Sequence, residues 1–277
     1  MKILTPNISQ LRMIQSIRGH QWMIRPDKVS EFVLAALDVP EKKAEFDLAD
    51  YYDLRTAAFV DPQGVGHVEI KGALLQTTPK IYEKLGLATK YQTIVSEIET
   101  VISAGASAVL FHVNSPGGTV AGNVETAKFI QAISVPKAGY CTGLCCSAAY
   151  KLSAGMDFIM ALPSAEVGNI GVILTWADCT EFWKEAGVEF KALVNTGADL
   201  KSTFHLEPDE TQTEFLQEQL NAMGEEFASW VKMNRPMVSQ EVFRAGWYHD
   251  TKAEELGLID GTGRIEEAIA ELLSRVF

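Results

Sequence analysis

Short apolar runs alternate with helix-spaced apolar positions through the middle of the chain. Residues 65–75 are apolar and rich in β-branched side chains, which predicts a strand. Within residues 91–104 the apolar positions recur at helical spacing, and Gly105 predicts the end of that helix. The continuous apolar run over 108–113 predicts a buried strand.

The same alternation continues toward residue 161. Its predicted elements are a helix over 120–133, a strand over 136–141, a helix over 144–154 and a strand over 158–161. Repeated strand–helix–strand order predicts an α/β fold with a mostly parallel sheet and crossover helices. Ligand sites in such sheets form at the carboxyl ends of strands, so the segments after 108–113 and 136–141 are the candidates for a site.

The last part of the chain is predicted to be helical. Residues 208–234 place apolar side chains at intervals of three and four, which predicts one long helix with a continuous apolar stripe. The stripe consists of Phe215, Leu216, Leu220, Met223, Phe227, Trp230 and Val231. A stripe of this length can pack on the core or on a partner subunit. Three short helices are expected after it, over 240–245, 251–256 and 264–276.

Length and composition allow one large domain with a substantial core. The chain has 277 residues, of which 47% are hydrophobic and 22% are charged. We divide it into an amino-terminal extension over residues 1–60, which carries no chemical motif, and one domain over residues 61–277. The extension is expected to pack on the core or on a neighbouring subunit. The formal net charge of −12 argues against nucleic acid as the main partner.

No feature of the sequence predicts secretion or membrane insertion. The chain has no continuous apolar run of about 18 residues, and residues 1–15 lack the basic-then-apolar order of a signal peptide. The four cysteines have neither metal-ligand spacing nor a paired framework, and we expect buried thiols; they are Cys141, Cys145, Cys146 and Cys179. These observations predict a cytoplasmic protein.

Two short segments carry the candidate chemistry. Residues 114–118, Asn-Ser-Pro-Gly-Gly, form a turn whose glycines can present backbone N–H groups to a developing oxyanion. Farther along, Ser147 lies among small side chains at a predicted strand-to-helix junction, which is one way to present a nucleophile. Taken alone, each segment is also typical of an ordinary turn or a helix cap. Together they indicate acyl transfer at a peptide or ester carbonyl.

A serine nucleophile needs a base, and the sequence pattern leaves its identity open. None of the histidines lies in the 30 residues after Ser147; they are His20, His67, His112, His205 and His249. A lysine that partial burial keeps neutral can accept the proton instead. The candidates of this kind are Lys151, Lys184 and Lys201.

Five segments in a fixed order resemble the signal peptide peptidase A family of serine peptidases. They are residues 114–118, 143–150, 167–172 and 197–202, and a carboxyl-terminal signature over 244–248, 253 and 257–260. The resemblance extends over residues 65–265. It implies the Clp protease/crotonase-like fold, with a mostly parallel sheet, flanking helices and a helical carboxyl-terminal part.

The resemblance also implies a Ser-Lys endopeptidase without a metal ion or cofactor. Ser147 falls on the nucleophile of the family and Lys201 on its general base. The backbone N–H groups of Gly117 or Gly118, with that of Ala148, fall on the oxyanion donors. Gly168, Asn169 and Ile170 fall on the strand that lines the substrate cleft.

The chain departs from the family pattern beside the nucleophile. The family has Ala-Ala-Ser-Gly-Gly where this chain has Cys145-Cys146-Ser147-Ala148-Ala149. All the exchanged residues are small, so we expect the geometry of the turn to be kept. Asn169 stands where the family has a serine, and its amide can still form a hydrogen bond with an amine.

Within the family, the layout is most like the head-maturation (capsid) proteases of tailed phages. That likeness implies scaffold, portal or capsid proteins as substrates, a homo-oligomeric ring, and action in the host cytoplasm or the procapsid. The alternatives are a cytoplasmic signal-peptide-peptidase-like protease of a bacterium and a catalytically weak homologue that binds scaffold. A crotonase-like acyl-CoA enzyme shares the fold, but it would leave Ser147 and the Lys201 loop without a role.

Overall fold

The computed structural model describes residues 21–24, 55–175, 180–185, 187–189, 191–201 and 207–276. Most of the predicted extension, together with His20, Cys179 and His205, lies outside the described residues. The strands are β1 Gln21–Ile24, β2 Phe59–Val60, β3 Val65–Lys71, β4 Ala73–Leu75, β5 Ala88–Lys90, β6 Ala108–Ser115, β7 Gly117–Thr119, β8 Lys137–Cys146, β9 Phe158–Ala161, β10 Glu166–Gly168, β11 Ile173–Leu174, β12 Trp247–Tyr248 and β13 Gly261–Thr262. The helices are α1 Lys80–Lys84, α2 Tyr91–Ser103, α3 Asn123–Gln131, α4 Ala148–Ala154, α5 Thr180–Glu185, α6 Glu210–Asn234, α7 Asp250–Glu255 and α8 Ile265–Ser274, with a 3₁₀ helix over Gln240–Arg244.

The described residues form two sheets, and the larger one carries the predicted parallel strands. Its order is β12-β10-β8-β6-β3-β2, and β9 joins it through β8. The pairs β3–β6, β6–β8, β8–β9 and β8–β10 are all parallel. This arrangement confirms the α/β class and the mostly parallel sheet.

The smaller sheet has the order β11-β1-β7-β4-β5. It begins where Gly72 turns the chain with a φ of +67°, and a Cβ there would lie 2.4 Å from the carbonyl oxygen of Leu87. The prediction of one strand over 65–75 is therefore wrong. The left-handed turn at Gly72 divides that segment into β3 and β4, which belong to different sheets.

Helices cover both faces of the larger sheet. Helix α2 buries Ile94, Ile98 and Val101 against β3 and β6, as its spacing predicts. On the opposite face, α8 buries Ala268 and Leu272 against a separate apolar cluster. The central strands are therefore covered on both faces, which explains why β6 appears in the sequence as a continuous apolar run. No helix in the described part of the chain is both long enough and apolar enough to cross a bilayer.

The largest boundary error lies at β8 and α4. The sequence predicts a strand over 136–141 and a helix from residue 144, but β8 continues to Cys146 and α4 begins at Ala148. Residues 144–146 remain extended because each pairs with a residue of β10. The sequence also predicts a strand over 190–195, just before the segment with Lys201, but the described residues 191–195 are irregular and exposed.

Helix α6 confirms the predicted long helix but not a fully buried stripe. Its first turn is closed by Asp209, whose carboxylate accepts the Gln212 N–H at 2.9 Å. At the other end, Phe227, Trp230 and Val231 are buried, whereas the stripe residues before them are only half-buried. The second half of α6 therefore packs on the core, and the first half leaves apolar surface partly exposed.

The described parts of the predicted extension are integrated in the two sheets. Strand β1 pairs with β7 and β11, and β2 pairs with β3. The boundary at residue 60 stays a prediction. Within the described residues, this segment contributes strands to the fold.

A chain of hydrogen bonds joins Asp61, His67 and His112 beside β3 and β6. His67 Nε2 lies 3.2 Å from Asp61 Oδ2, and His67 Nδ1 lies 2.8 Å from His112 Nε2. Burial, together with the neighbouring His67, lowers the pKa of His112 to about 4. The folded protein therefore resists protonation of a ring that protonates readily in the unfolded chain.

This shift predicts a loss of stability in mild acid. His112 has an ordinary pKa of 6.5, so between that pH and pH 4 the unfolded chain binds more protons than the folded one. Stability should therefore fall as the pH falls, by about 2 kcal/mol between pH 7 and pH 5 from this group. Denaturant unfolding of the parent and of His112→Gln at both pH values tests this. An equal loss in the two proteins would contradict it.

Candidate active site

Ser147 occupies a strained turn between β8 and α4. Its backbone has φ +55° and ψ −118°, and the residue is 1% exposed. A non-glycine residue in such a conformation costs roughly 1–3 kcal/mol and persists only where its surroundings fix it. A sharp strand-to-helix turn of this kind is the geometry by which other hydrolase folds present a nucleophilic serine.

The end of β10 and the residues that follow it fix this turn. The Ser147 N–H donates to the Gly168 carbonyl at 2.7 Å, and the Ser147 hydroxyl donates to the Gly171 carbonyl at 3.4 Å. Parallel pairing of Cys146 with Gly168 places these groups side by side. Gly168 has a φ of +120°, which is accessible to glycine with little strain.

The carboxyl-terminal signature supports that segment from the other side. The Asn169 N–H donates to the Gly246 carbonyl at 2.7 Å, and its side-chain amide donates to the Ala245 carbonyl at 2.8 Å. Asn169 is itself in the left-handed region, with φ +53°. Hydrogen bonds thus connect Ser147 to residues 168–169, and connect those residues in turn to residues 245–246. Sequence reasoning identified the signature but not this structural role.

The predicted oxyanion turn lies at the same end of the sheet as Ser147. Ser115 of β6 pairs with Cys145 of β8. Gly117 and Ser147 each follow two residues after this pair, so both lie at this end of the sheet. The Gly117 N–H donates to the Ser115 hydroxyl at 3.2 Å, so this donor already has a partner in the turn. Ala148 is the first residue of α4, and its N–H consequently lacks an intrahelical acceptor. The oxyanion roles of Gly117, Gly118 and Ala148 stay predictions.

Both glycines allow backbones to approach more closely than a side chain permits. A Cβ on Gly117 would lie 2.1 Å from the Met23 carbonyl oxygen, and one on Gly118 would lie 1.8 Å from the Leu74 carbonyl oxygen. Strands β1 and β4 can therefore lie beside β7 only because residues 117 and 118 lack side chains. Ile170, the third predicted cleft residue, is 3% exposed and belongs to the main core.

The Lys151 backbone N–H donates to the Ser147 carbonyl at 3.0 Å, but its buried side chain is directed elsewhere. Its ammonium contacts the Glu226 carboxylate and lies 5.4 Å from the centre of the Phe227 ring, both on α6. Burial lowers the pKa of Lys151, although the contact with Glu226 opposes this shift. The Lys151 side chain is therefore directed toward α6, one helical turn away from the nucleophile.

Lys201 is exposed at the end of the irregular segment 191–201. The same segment is attached to the start of α6, since the Gln212 amide donates to the Asp199 carbonyl at 2.8 Å. Lys184 is also exposed and pairs with Glu181 at 2.8 Å. The Ser147 hydroxyl is bonded to Gly171, and no lysine or histidine of the described residues forms a hydrogen bond with it. The Ser147–Lys201 dyad stays a prediction.

The described cysteines near Ser147 are buried. Cys145 Sγ lies 3.4 Å from the Ser153 hydroxyl, and Cys146 Sγ lies 3.4 Å from the Glu166 carbonyl. A hydrogen bond with Cys145, together with burial, raises the pKa of the Cys141 thiol. Cys141, Cys145 and Cys146 thus pack as small apolar residues. Across the described ranges, no group of three or more His, Cys, Asp or Glu is arranged to hold a metal ion.

Two protein-family models match the sequence. The sequence model of peptidase family S49 matches residues 131–276, which include Ser147, Asn169 and the carboxyl-terminal signature. The model of the Clp protease family matches residues 70–168, which include the Gly117-Gly118 turn. These matches confirm the resemblance to signal peptide peptidases and the predicted fold superfamily.

Individual relatives carry protease names. The chain is 29% identical over 59% of its length to a putative protease of Methanocaldococcus jannaschii, and 31% identical over 59% to the putative signal peptide peptidase SppA of Enterococcus faecium. It is 25% identical over 74% of its length to capsid assembly protease C of Escherichia phage lambda. It spans 54%, 49% and 48% of these three proteins, about half of each. A ClpP1 mutant from Listeria monocytogenes matches 72% of this chain and 91% of its own, with 12% identity and a TM-score of 0.47.

The close backbone contact at Gly118 gives a first test of the site. Gly118→Ala should destabilise the protein by about 1–3 kcal/mol, because the new methyl group overlaps the Leu74 carbonyl. Gly224→Ala is the matched control: Gly224 lies within α6, and a Cβ there has no neighbour within 4 Å. That control should gain about 0.5–1 kcal/mol. Thermal or denaturant unfolding measures both. Equal stability of Gly118→Ala and the parent would contradict the described packing of β7.

Proposed function

The chain belongs to peptidase family S49, and we propose that it is a serine endopeptidase in which Ser147 attacks the peptide carbonyl. One observation carries this proposal. Ser147 is a non-glycine residue at φ +55° whose turn is bonded to Gly168 and Gly171. An ordinary helix cap does not need this conformation, because a cap residue normally has extended backbone angles.

The proposed reaction passes through an acyl-enzyme. Ser147 Oγ transfers its proton to the neutral amine of Lys201 and bonds to the carbonyl carbon of the substrate. The N–H of Ala148, with that of Gly117 or Gly118, stabilises the oxyanion, and each donor is worth about 3 kcal/mol. Lys201 returns the proton to the leaving amine as the C–N bond breaks. Water, deprotonated by the same lysine, then releases the acid and regenerates Ser147.

Lys201 must approach Ser147 for this reaction, because it is exposed and makes no contact with the serine in the free chain. Hydrogen bonds of catalytic groups are often incomplete before substrate binds, so this geometry is compatible with the role. Burial of Lys201 beside a bound peptide would also favour the neutral amine that a base requires. Assignment of the base to Lys201 rests on the resemblance of residues 197–202.

We also propose that the substrates are phage scaffold, portal or capsid proteins, processed in the procapsid or the host cytoplasm. The match to a protein named capsid assembly protease supports this substrate class. A homo-oligomeric ring is proposed with it. The half-buried apolar residues in the first half of α6 provide a surface for contacts between copies. A bacterial protease of the signal peptide peptidase type is the alternative, supported by the match to the SppA relative.

The nucleophile is tested by Ser147→Ala. Removal of the hydroxyl should lower kcat/KM on an unstructured protein substrate by about 10³-fold or more and abolish labelling by a fluorophosphonate probe. Thr142→Ala is the control, since Thr142 is an exposed hydroxyl on β8 that the mechanism does not use. Parental cleavage by Ser147→Ala would eliminate the proposed chemistry.

The base is tested by comparing three lysines. Lys201→Ala should lower kcat by about 10²–10⁴-fold, as expected for the loss of a general base. Lys184→Ala should leave the rate unchanged, because Lys184 is exposed and pairs with Glu181. Lys151→Met replaces the buried amine with an apolar side chain of similar length and should keep activity within a few-fold. Activity that survives Lys201→Ala but is lost in Lys151→Met would move the base to Lys151.

The natural substrates can be found by comparing protein termini. The parent and Ser147→Ala should be expressed in cells that also make the associated head proteins, and new amino termini should be identified by mass spectrometry. Termini from scaffold, portal or capsid proteins that require Ser147 support the phage assignment. Termini confined to signal peptides would support the alternative.

A further inference from the structure

Strand β1 lies between the two strands that border Ser147. It pairs antiparallel with β7 on one side and antiparallel with β11 on the other. β7 begins at Gly117, directly after the turn that reaches the Ser147 end of the larger sheet. β11 begins two residues after Gly171, whose carbonyl accepts the Ser147 hydroxyl. The gap between β7 and β11 is thus a groove beside the nucleophile, and residues 21–24 fill it.

The register directs the carboxyl end of β1 toward the nucleophile. Ile24 lies opposite Gly117, and Trp22 lies opposite both Thr119 and Ile173. If the pairing of β1 with β11 is continued two residues beyond Trp22 and Ile173, Ile24 lies opposite Gly171. Ile24 is therefore the β1 residue closest in register to both groups that flank Ser147. An extended peptide that paired with β7 and β11 would have its backbone in this same position.

Close backbone contact and apolar burial hold β1 in the groove. The Met23 carbonyl lies so near Gly117 that a Cβ on the glycine would be 2.1 Å away. Met23 and Ile24 are 1% and 2% exposed. The Ile24 side chain packs in an apolar pocket with Ala73, Leu75 and Ala88. The groove therefore binds extended backbone and provides a pocket for an aliphatic side chain.

We propose that residues 21–24 are an intramolecular occupant of the peptide-binding groove, and that an extended substrate binds by displacing them as a strand. This inference rests on the proposed function, because it treats the groove beside Ser147 as the substrate site. Strand addition supplies main-chain hydrogen bonds for any extended sequence, and side-chain pockets select among them. The Ile24 pocket predicts a preference for an aliphatic residue at that position. A tethered strand competes at an effective concentration of about 1 mM, which suppresses weak substrates.

The test measures peptide binding in the full-length chain, with Ser147→Ala present throughout so that binding is separated from cleavage. The probe is a fluorescent peptide with the sequence of residues 18–27, followed by anisotropy. Ile24→Asp places a carboxylate in the apolar pocket, and Met23→Pro removes an N–H from a strand that is paired on both sides. Each substitution should tighten peptide binding by about 10-fold or more by releasing β1. Met237→Asp is the matched control, since Met237 is 87% exposed, and it should leave binding unchanged.

Hydrogen exchange and thermal unfolding separate the possible outcomes. Tighter binding, with faster amide exchange in β7 and β11 before peptide is added, supports the proposal. A fall in Tm without any gain in peptide binding would show that β1 is a structural strand and would overturn it. The proposed function is tested separately, by labelling of Ser147 with the fluorophosphonate probe in the chain that retains this serine. Tighter peptide binding with an unreactive Ser147 would support displacement of β1 by a peptide and defeat the peptidase assignment.

Discussion

Hydrogen bonding to the end of β10 and the residues that follow it is the constraint on which the site depends. Ser147 keeps its strained turn because its N–H is bonded to Gly168. Asn169 is bonded in turn to Ala245 and Gly246. These contacts join segments that are distant in sequence, so the carboxyl-terminal part supports the turn only once it has folded onto the sheet. The strain at Ser147 is thereby balanced by bonds that form outside its own β-α unit.

The second constraint is the lack of a side chain at three glycines. Gly72 turns the chain from the larger sheet into the smaller one, and Gly117 and Gly118 let β1 and β4 lie against β7. A methyl group at residue 117 or 118 would overlap a carbonyl oxygen of a neighbouring strand. The glycines that suggest an oxyanion turn in the sequence therefore also determine how the two sheets meet. The proposed oxyanion donors and the architecture thus share the same few positions.

The spacing of apolar residues correctly predicted the elements that are buried uniformly along their length. Helix α2, strand β6 and strand β9 were correct because each buries a regular stripe or a continuous run. The pattern was wrong at residues 144–146, whose extended conformation comes from pairing with β10. It also gave no signal for β1 and β7, which are short strands defined by their neighbours. Pairing between distant residues does not appear in the periodicity of either partner.

The sequence by itself determined the α/β class, the two segments near the carboxyl ends of β6 and β8, and Ser147 as the candidate nucleophile, because these depend on local spacing and small residues. Tertiary structure alone decided that Ser147 adopts a strained turn, that Asn169 bonds to the Ala245 carbonyl, and that residues 21–24 lie in the groove between β7 and β11. It also directed the buried Lys151 to Glu226 on α6. These features depend on which backbones meet across the fold, and the physical reason is that hydrogen bonds between distant strands are fixed only when the sheets assemble.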